Sequence, residues 1–145
     1  MAFEPGAVLR IDLDPGQHCY ARALSTPSRI AFFDGVGGDD LNEVVRRPVL
    51  FVIAVSDRAD DEWAVVGTLP PDVLPIPVPE QFMQDIVTGR CRIVDANLDA
   101  RQATPQECVG LERTAVWSPE DIEERLRDHY AGRENKNLAY MRVQI

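Results

Sequence analysis

The residue types that most often perform catalysis are not spaced for it in this sequence. The two histidines, His18 and His129, are far apart, and neither has a metal-type partner at helical spacing. Cys19 is adjacent to His18, but neighbouring residues of a strand point to opposite faces of a sheet, so they cannot form a catalytic pair. Cys108 has Arg113 as its one cationic neighbour able to favour a thiolate. We therefore expect no catalytic nucleophile, metal site or cofactor site.

A glycine-rich segment, Gly35–Gly38, follows a predicted strand and looks at first like a phosphate-binding loop. Its spacing is not the GxGxxG of dinucleotide-binding loops, and no Lys-Ser or Lys-Thr pair follows it. Asp39 and Asp40 come directly after it and would repel a phosphate. The sequence therefore predicts a plain loop with acidic residues beside it.

Tyr20 and Arg22 are two residues apart in a predicted strand, so they stand side by side on one face of the sheet. Tyrosine and arginine are enriched at the hot spots of protein interfaces. An ordinary pair on an exposed sheet is at least as good an explanation of the two residues. Our candidate partner-binding residues are Tyr20, Arg22 and the acidic residues around the glycine-rich segment, Asp34, Asp39 and Asp40.

Composition limits the class of protein and of partner. The 145 residues, 45% of them hydrophobic, suit one domain with a sizeable core. The net charge of −9 argues against a nucleic-acid binder and is compatible with a basic protein partner, although it also serves simple solubility. Three cysteines without a CxxC pair, no signal-peptide pattern and no apolar run near ~20 residues predict a reduced, cytoplasmic protein without a membrane segment.

Alternating hydrophobicity predicts that the first half of the chain is mainly β. In residues 7–13, three apolar side chains face a core while Arg10 and Asp12 face solvent. In residues 18–24 the small side chains share one face, which suits the crowded interior of a tight barrel. Further strands are predicted at residues 29–34, 49–55, 63–69 and 90–95.

The second half contains one clear helix. Five prolines within residues 70–79 predict an extended crossing, because proline removes the backbone donors that a sheet or helix interior needs. After a strand ending at Trp117, Ser118 is a favourable N-cap, and Gly132 ends an amphipathic helix. Residues 138–145 predict a terminal strand, paired within the fold or with another chain as a homodimer.

Several of these segments together resemble the immunity protein 26 family, in the same order over about residues 6–130. The resemblance implies a small, mainly β immunity protein of a bacterial polymorphic toxin system, which binds a toxin and has no catalytic residues. Phe33 stands where a tyrosine is common in that pattern, and residues 131–145 have no counterpart in it. The segments that carry the resemblance are Gly6–Ile11, Tyr20–Arg22, Ile30–Asp34, Pro48–Val55, Trp63–Gly67, and Cys108–Trp117 through to Arg125–His129.

We therefore predict a single domain over residues 1–145, with a core at 6–130 and a tail at 131–145. The fold class is mainly β (α+β): a small, strongly bent antiparallel barrel or sheet with one C-terminal amphipathic helix. The predicted function is a non-enzymatic, cytoplasmic immunity protein that binds a cognate toxin, with no nucleic-acid or membrane partner. The alternative is a small-ligand or peptide-binding module, whose apolar pocket we expect near Tyr20 and Trp117. An enzyme would require two titratable groups converging in a cleft.

Overall fold

A computed structural model describes residues 3–14 and 16–145 of the chain. These residues form two β-sheets, and the longest helix follows them near the C-terminus. The mainly β, α+β fold class predicted from the sequence is therefore confirmed. Neither sheet closes into a barrel, so of the two architectures expected from the sequence the open sheet is the correct one.

The elements are short, as expected for a chain with many turns. None of the helices in the described ranges is long and apolar enough to cross a membrane. The strands are β1 (Ala7–Asp14), β2 (Gln17–Ala23), β3 (Arg29–Phe33), β4 (Val49–Val55), β5 (Ala64–Thr68), β6 (Gln81–Gln84), β7 (Cys91–Val94), β8 (Ala100–Ala103), β9 (Glu112–Arg113) and β10 (Val116–Trp117). The α-helices are α1 (Leu41–Val44), α2 (Ala59–Glu62), α3 (Pro119–Ala131) and α4 (Lys136–Tyr140), and a 3₁₀ helix spans Pro105–Cys108.

The two sheets share one short connection. Sheet 1 has the strand order β10-β4-β3-β2-β1-β5, antiparallel except where β10 runs parallel to β4. Sheet 2 has the order β8-β7-β6-β9, antiparallel except where β9 runs parallel to β6. Because β9 and β10 are only two residues apart, residues 112–117 pass directly from the edge of sheet 2 to the edge of sheet 1.

Helix α3 covers one face of sheet 1, and its boundaries follow the sequence. The Ser118 side chain accepts a hydrogen bond from the Asp121 amide at 3.2 Å, and Gly132 ends the helix with a left-handed φ of 71°. Ile122 and Leu126 are fully buried in the core against the small residues of β2. Each contributes roughly 2 kcal/mol of hydrophobic stabilisation.

The other face of sheet 1 is covered by the chain that follows β5. The prediction that Tyr20 and Arg22 lie on an exposed face is wrong, because both side chains are buried. The Arg22 guanidinium donates four hydrogen bonds to backbone carbonyls in this segment, at 2.7–3.2 Å. The residues that supply these carbonyls are Leu69, Pro70, Val73 and Leu74.

This network explains how a segment that forms no β-sheet hydrogen bonds can pack against sheet 1. Buried carbonyls need donors, and a guanidinium offers five N–H groups in a fixed fork. Leu74 adopts a φ of 48° there, which costs an L-residue about 1–2 kcal/mol. The expected extended crossing is observed only in part, because the segment begins with a turn in which the Val73 amide donates to the Pro70 carbonyl at 2.9 Å. A single buried cation anchors this turn to β2.

The predicted terminal strand at residues 138–145 is wrong. Asn135 caps a short helix, α4, by accepting a hydrogen bond from the Leu138 amide at 3.0 Å. Leu138 and Met141 are then three residues apart on the helix and its C-cap, and both line the space between the sheets. The C-terminal strand through which we expected a homodimer to form is therefore absent from the described residues.

Several elements were missed because their signals are weak. Residues 96–106, expected to be a polar loop, include β8 and the first half of the 3₁₀ helix. The 3₁₀ helix begins with a capping box, in which Thr104 and Glu107 bond each other's backbone amides. Strand β6 also formed where the sequence indicated only that Phe82 docks against a core, and Phe82 is indeed fully buried.

Replacing Arg22 tests the anchoring of the proline-rich crossing. We expect Arg22→Met to lower the free energy of unfolding by about 3 kcal/mol, because buried carbonyls lose their charged donor. The measurement is urea denaturation of both proteins. The control is Arg10→Met on the neighbouring strand, whose side chain is 42% exposed. Equal loss of stability in the two variants would contradict the anchoring role.

Candidate functional site

The candidate site is the loop between β3 and α1, residues 34–40, which we call the acidic loop. Three of its glycines have φ values in the left-handed region, 126° at Gly35, 77° at Gly37 and 85° at Gly38. A Cβ atom on Gly38 would lie 2.8 Å from a guanidinium nitrogen of Arg47. These glycines therefore permit a tight backbone path that other residues would strain.

Two side chains of β2 hold the far end of the acidic loop. The Tyr20 hydroxyl donates a hydrogen bond to the Gly38 carbonyl at 2.6 Å, and His18 Nε2 lies 2.9 Å from the same oxygen. The Gly37 amide donates to the His18 carbonyl at 2.8 Å. Tyr20 is buried, so its hydroxyl reaches the loop from a fixed position in the fold.

Tyr130, in the last turns of α3, holds the near end of the acidic loop. Its hydroxyl oxygen accepts a hydrogen bond from the Gly35 amide at 3.0 Å and lies 3.3 Å from the Phe33 carbonyl. Burial raises the pKa of Tyr130 to about 12, so the hydroxyl keeps its proton at neutral pH.

Arg47 completes the support from beneath the loop. Its guanidinium donates to the carbonyls of Gly35 at 3.2 Å and Gly37 at 2.9 Å, and it pairs with Glu43 at 2.7 Å. Hydrogen bonding to Arg47 lowers the pKa of Glu43, which keeps that carboxylate ionised. A loop with so many tertiary hydrogen bonds loses little conformational freedom when it binds a partner.

The acidic loop presents its functional groups to solvent. Asp39 and Asp40 are exposed, and Asp40 also caps α1 through the Asn42 amide at 3.0 Å. Asp34 is half-buried and lies 3.4 Å from His129 Nε2. Val36 is exposed between them and adds an apolar contact point. The result is a rigid, acidic surface feature with an apolar tip.

The structure brings together four of the five residues that the sequence indicated. Tyr20 supports the loop on which Asp34, Asp39 and Asp40 lie, although its own side chain is not available to a partner. Arg22 is also buried and serves the proline-rich crossing instead. The three carboxylates therefore remain as the surface candidates.

Sequence reasoning missed the supports Arg47 and Tyr130. The i,i+4 spacing of Glu43 and Arg47 was a signal for their ion pair, but nothing local indicated the glycine carbonyls as further partners. Tyr130 was predicted only as part of the apolar stripe of α3. Its hydroxyl contacts residues 95 positions away in the chain, and no local pattern encodes such a contact.

A second feature is a cavity of about 680 Å³, which we call the inter-sheet groove. It lies between β4 of sheet 1 and two segments that lead into sheet 2, residues 79–81 and 108–113. Residues from Leu138 onward line another side. Arg125 of α3 projects into it, with its guanidinium 5.1 Å from the Trp117 ring. Neither Trp117 nor Tyr20 lines this cavity, so the apolar pocket expected near those two residues lies elsewhere.

Of the other titratable side chains, Cys108 lines the groove and His129 pairs with Asp34 of the acidic loop. All three cysteines are buried as free thiols, and burial raises the pKa of Cys19 to about 12. Burial and the neighbouring Cys91 thiol raise the pKa of Cys108. The His129–Asp34 pair is 44% exposed on both side chains. In the described ranges no cluster of three or more His, Cys, Asp or Glu side chains is arranged to hold a metal ion.

We compared the chain with models of protein families, with curated proteins and with solved structures. None of the three comparisons found a match. Function must therefore be argued from the residues and from the surfaces described above.

Removing the Tyr20 hydroxyl tests whether it fixes the acidic loop. We expect Tyr20→Phe to cost about 1 kcal/mol of stability, because the hydroxyl no longer donates to the Gly38 carbonyl. Amide exchange at Gly37 should also accelerate, as measured by NMR. Tyr140→Phe is the matched control, since Tyr140 is 87% exposed. Unchanged exchange at Gly37 would argue against this support.

The raised pKa of Cys19 predicts a loss of stability in alkali. In the unfolded chain this thiol ionises near its ordinary value of 9.0, whereas the folded protein keeps it protonated up to about 12. The unfolded state therefore releases the proton first, and stability falls as pH rises through this range. We expect the wild type to lose about 1 kcal/mol more than Cys19→Ala between pH 9 and 10 in urea denaturation. Parallel profiles would contradict this assignment.

Proposed function

We propose that this protein is a non-enzymatic immunity protein, which binds a cognate toxin and occludes it. The observation that carries the proposal is the acidic loop, a rigid surface feature that presents Asp39 and Asp40 on a fixed scaffold. A pre-organised loop of this kind is suited to binding, because little ordering is required when the complex forms. The resemblance to the immunity protein 26 family, described above, points to the same class.

Charge indicates the chemistry of the partner surface. The acidic loop and α1 carry four carboxylates, and Arg47 is engaged with one of them, Glu43. The whole chain has a net charge of −9. Complementary charge steers association and selects partners, so the surface that contacts this loop should be basic. Val36 would then insert among the cationic side chains as an apolar contact.

The proposed mechanism requires no bond chemistry by this chain. At the loop, His129 Nε2 lies 3.4 Å from Asp34, and this pair is on the open surface, where solvent screens the charges. Their simplest role is to fix the end of α3 against the first residue of the loop. The work of the protein would then be to cover a toxin surface.

A genetic experiment tests the proposed function. The chain is co-expressed with each toxin gene encoded beside its own gene, and survival of the host is scored. We expect the intact protein to protect against one of these toxins. If it protects against none, the proposal is wrong.

A charge substitution tests the proposed surface. We expect the double substitution Asp39→Asn, Asp40→Asn to weaken binding of the toxin found by co-expression by roughly tenfold, chiefly by slowing association. Asparagine preserves shape and still caps α1, so folding should be unaffected. Surface plasmon resonance at two salt concentrations provides the measurement.

The matched control for that experiment removes two exposed acidic residues elsewhere, Asp72 and Asp99, in the same way. Both doubly substituted proteins change the net charge equally. If the control weakens binding as much as the loop variant does, general charge and not the acidic loop controls affinity. That result would remove the loop from the proposed interface.

The rival function is a small-ligand or peptide-binding module, and the inter-sheet groove is the observation that favours it. Under that alternative the groove would carry the biological role and the acidic loop would be dispensable. Substitutions in the acidic loop distinguish the two functions, because they would leave a groove-dependent role unchanged.

A further inference from the structure

We propose that the inter-sheet groove binds an amphipathic carboxylate, a single negatively charged head on an aliphatic body. This inference does not rest on the proposed immunity function, since the acidic loop and the groove are built from different residues. The groove's volume of about 680 Å³ falls within the range of pockets that take small ligands. What decides the class of ligand is the distribution of charge along its walls.

Most charged residues that line the groove are already paired. Glu112 accepts a hydrogen bond from Arg125 at 2.6 Å. Glu80 pairs with Arg101 at 2.7 Å. The third pair joins Arg142, at the outer wall, to Glu134 at 3.0 Å. Within each of these three ion pairs the two charges cancel, so the pairs leave no excess charge for a ligand.

Arg113 is the exception. Its guanidinium donates to the carbonyls of Met141 at 3.0 Å and Arg142 at 3.4 Å, and lies 3.4 Å from the amide oxygen of Gln84. Its charge also lies over the Phe82 ring at 4.8 Å. All of these partners are neutral, so in the described part of the chain no side-chain carboxylate pairs with Arg113. Arg113 therefore offers an anionic ligand group a charge that no side-chain carboxylate of the described residues neutralises.

Arg125 supplies directed donors for that group. Its side chain is buried, with its guanidinium 3.6 Å from the centre of the Phe51 ring, and one terminal nitrogen bonds Glu112. In the described part of the chain, its Nε and Nη2 atoms make no hydrogen bond. A stacked, ion-paired guanidinium is held in place before the ligand arrives, and a planar fork suits a carboxylate.

The remaining wall is aliphatic. Leu50, Leu111, Leu138 and Val143 line the groove from four different segments, and all are partly exposed there. Covering such surface with a hydrocarbon chain is favourable by about 0.8 kcal/mol for each buried CH₂. The groove thus has one cationic region and one apolar region, which complement the charged head and the aliphatic body of an alkyl carboxylate.

Titration of the full chain with dodecanoate, kept below its micelle-forming range, tests the proposal. We expect saturable binding of one dodecanoate per chain by isothermal calorimetry, with a Kd of roughly 1–100 μM. Dodecanol, which lacks the charge, should bind at least tenfold more weakly, and butyrate, which lacks the aliphatic body, should show no saturation. NMR shift changes in the wild type should map to residues 108–113 and 138–145.

A matched pair of double variants locates the site. Glu112→Gln with Arg125→Gln removes the guanidinium without leaving an unpaired charge, and it should weaken dodecanoate binding at least tenfold. The control makes the same two changes at the exposed Arg58–Glu120 ion pair and should leave the Kd unchanged. Should the groove variant fail to fold, the wild-type shift map alone decides the question.

Four results would overturn the proposal. These are no saturable binding of dodecanoate, equal binding of dodecanol, an unaltered Kd in the folded groove variant, and shift changes confined to residues outside the groove. Binding of an acetylated apolar tripeptide with a free carboxylate, without binding of dodecanoate, would also overturn it and would assign the groove to peptide ends.

Discussion

The structure depends on pairing polar groups that packing removes from water. The clearest case is Arg22, which stands in the interior of sheet 1 and satisfies the carbonyls of a segment that cannot form a ladder of its own. Without that cation, the proline-rich chain would lose the charged donor that holds its first turn against the sheet. With it, the crossing buries the face that also carries Tyr20.

Burial of Tyr20 in turn links the core to the surface. Its ring packs inside the fold while its hydroxyl bonds the acidic loop. Tyr130 of α3 and Arg47, which follows α1, also reach the loop with the polar ends of their side chains. The loop therefore takes its rigidity from residues that belong to the fold. Its carboxylates at Asp39 and Asp40, by contrast, are exposed and accessible for recognition, although Asp40 also caps α1. This division is the physical basis of the proposed binding function.

Local signals predicted local structure well. Ser118, Pro119 and Gly132 marked the bounds of α3, and the alternation in residues 7–13 predicted which side chains of β1 enter the core. Contacts between distant segments were not predictable, because no period or cap encodes them. Arg22 was misplaced for this reason, since its exposure depends on a crossing some 50 residues later. The tail was misread because Leu138–Ile145 is apolar at spacings that suit a strand, whereas the Asn135 cap favours a helix.

The most direct test of the account is carboxyl footprinting of the chain in complex with a toxin identified by the co-expression experiment. Carbodiimide-coupled amine labelling, read by mass spectrometry, reports the accessibility of each Asp and Glu in the free and bound chain. The account predicts strong protection of Asp39 and Asp40 on binding, with unchanged labelling of Asp72 and Asp99. Full labelling of the acidic loop in a saturated complex would contradict it.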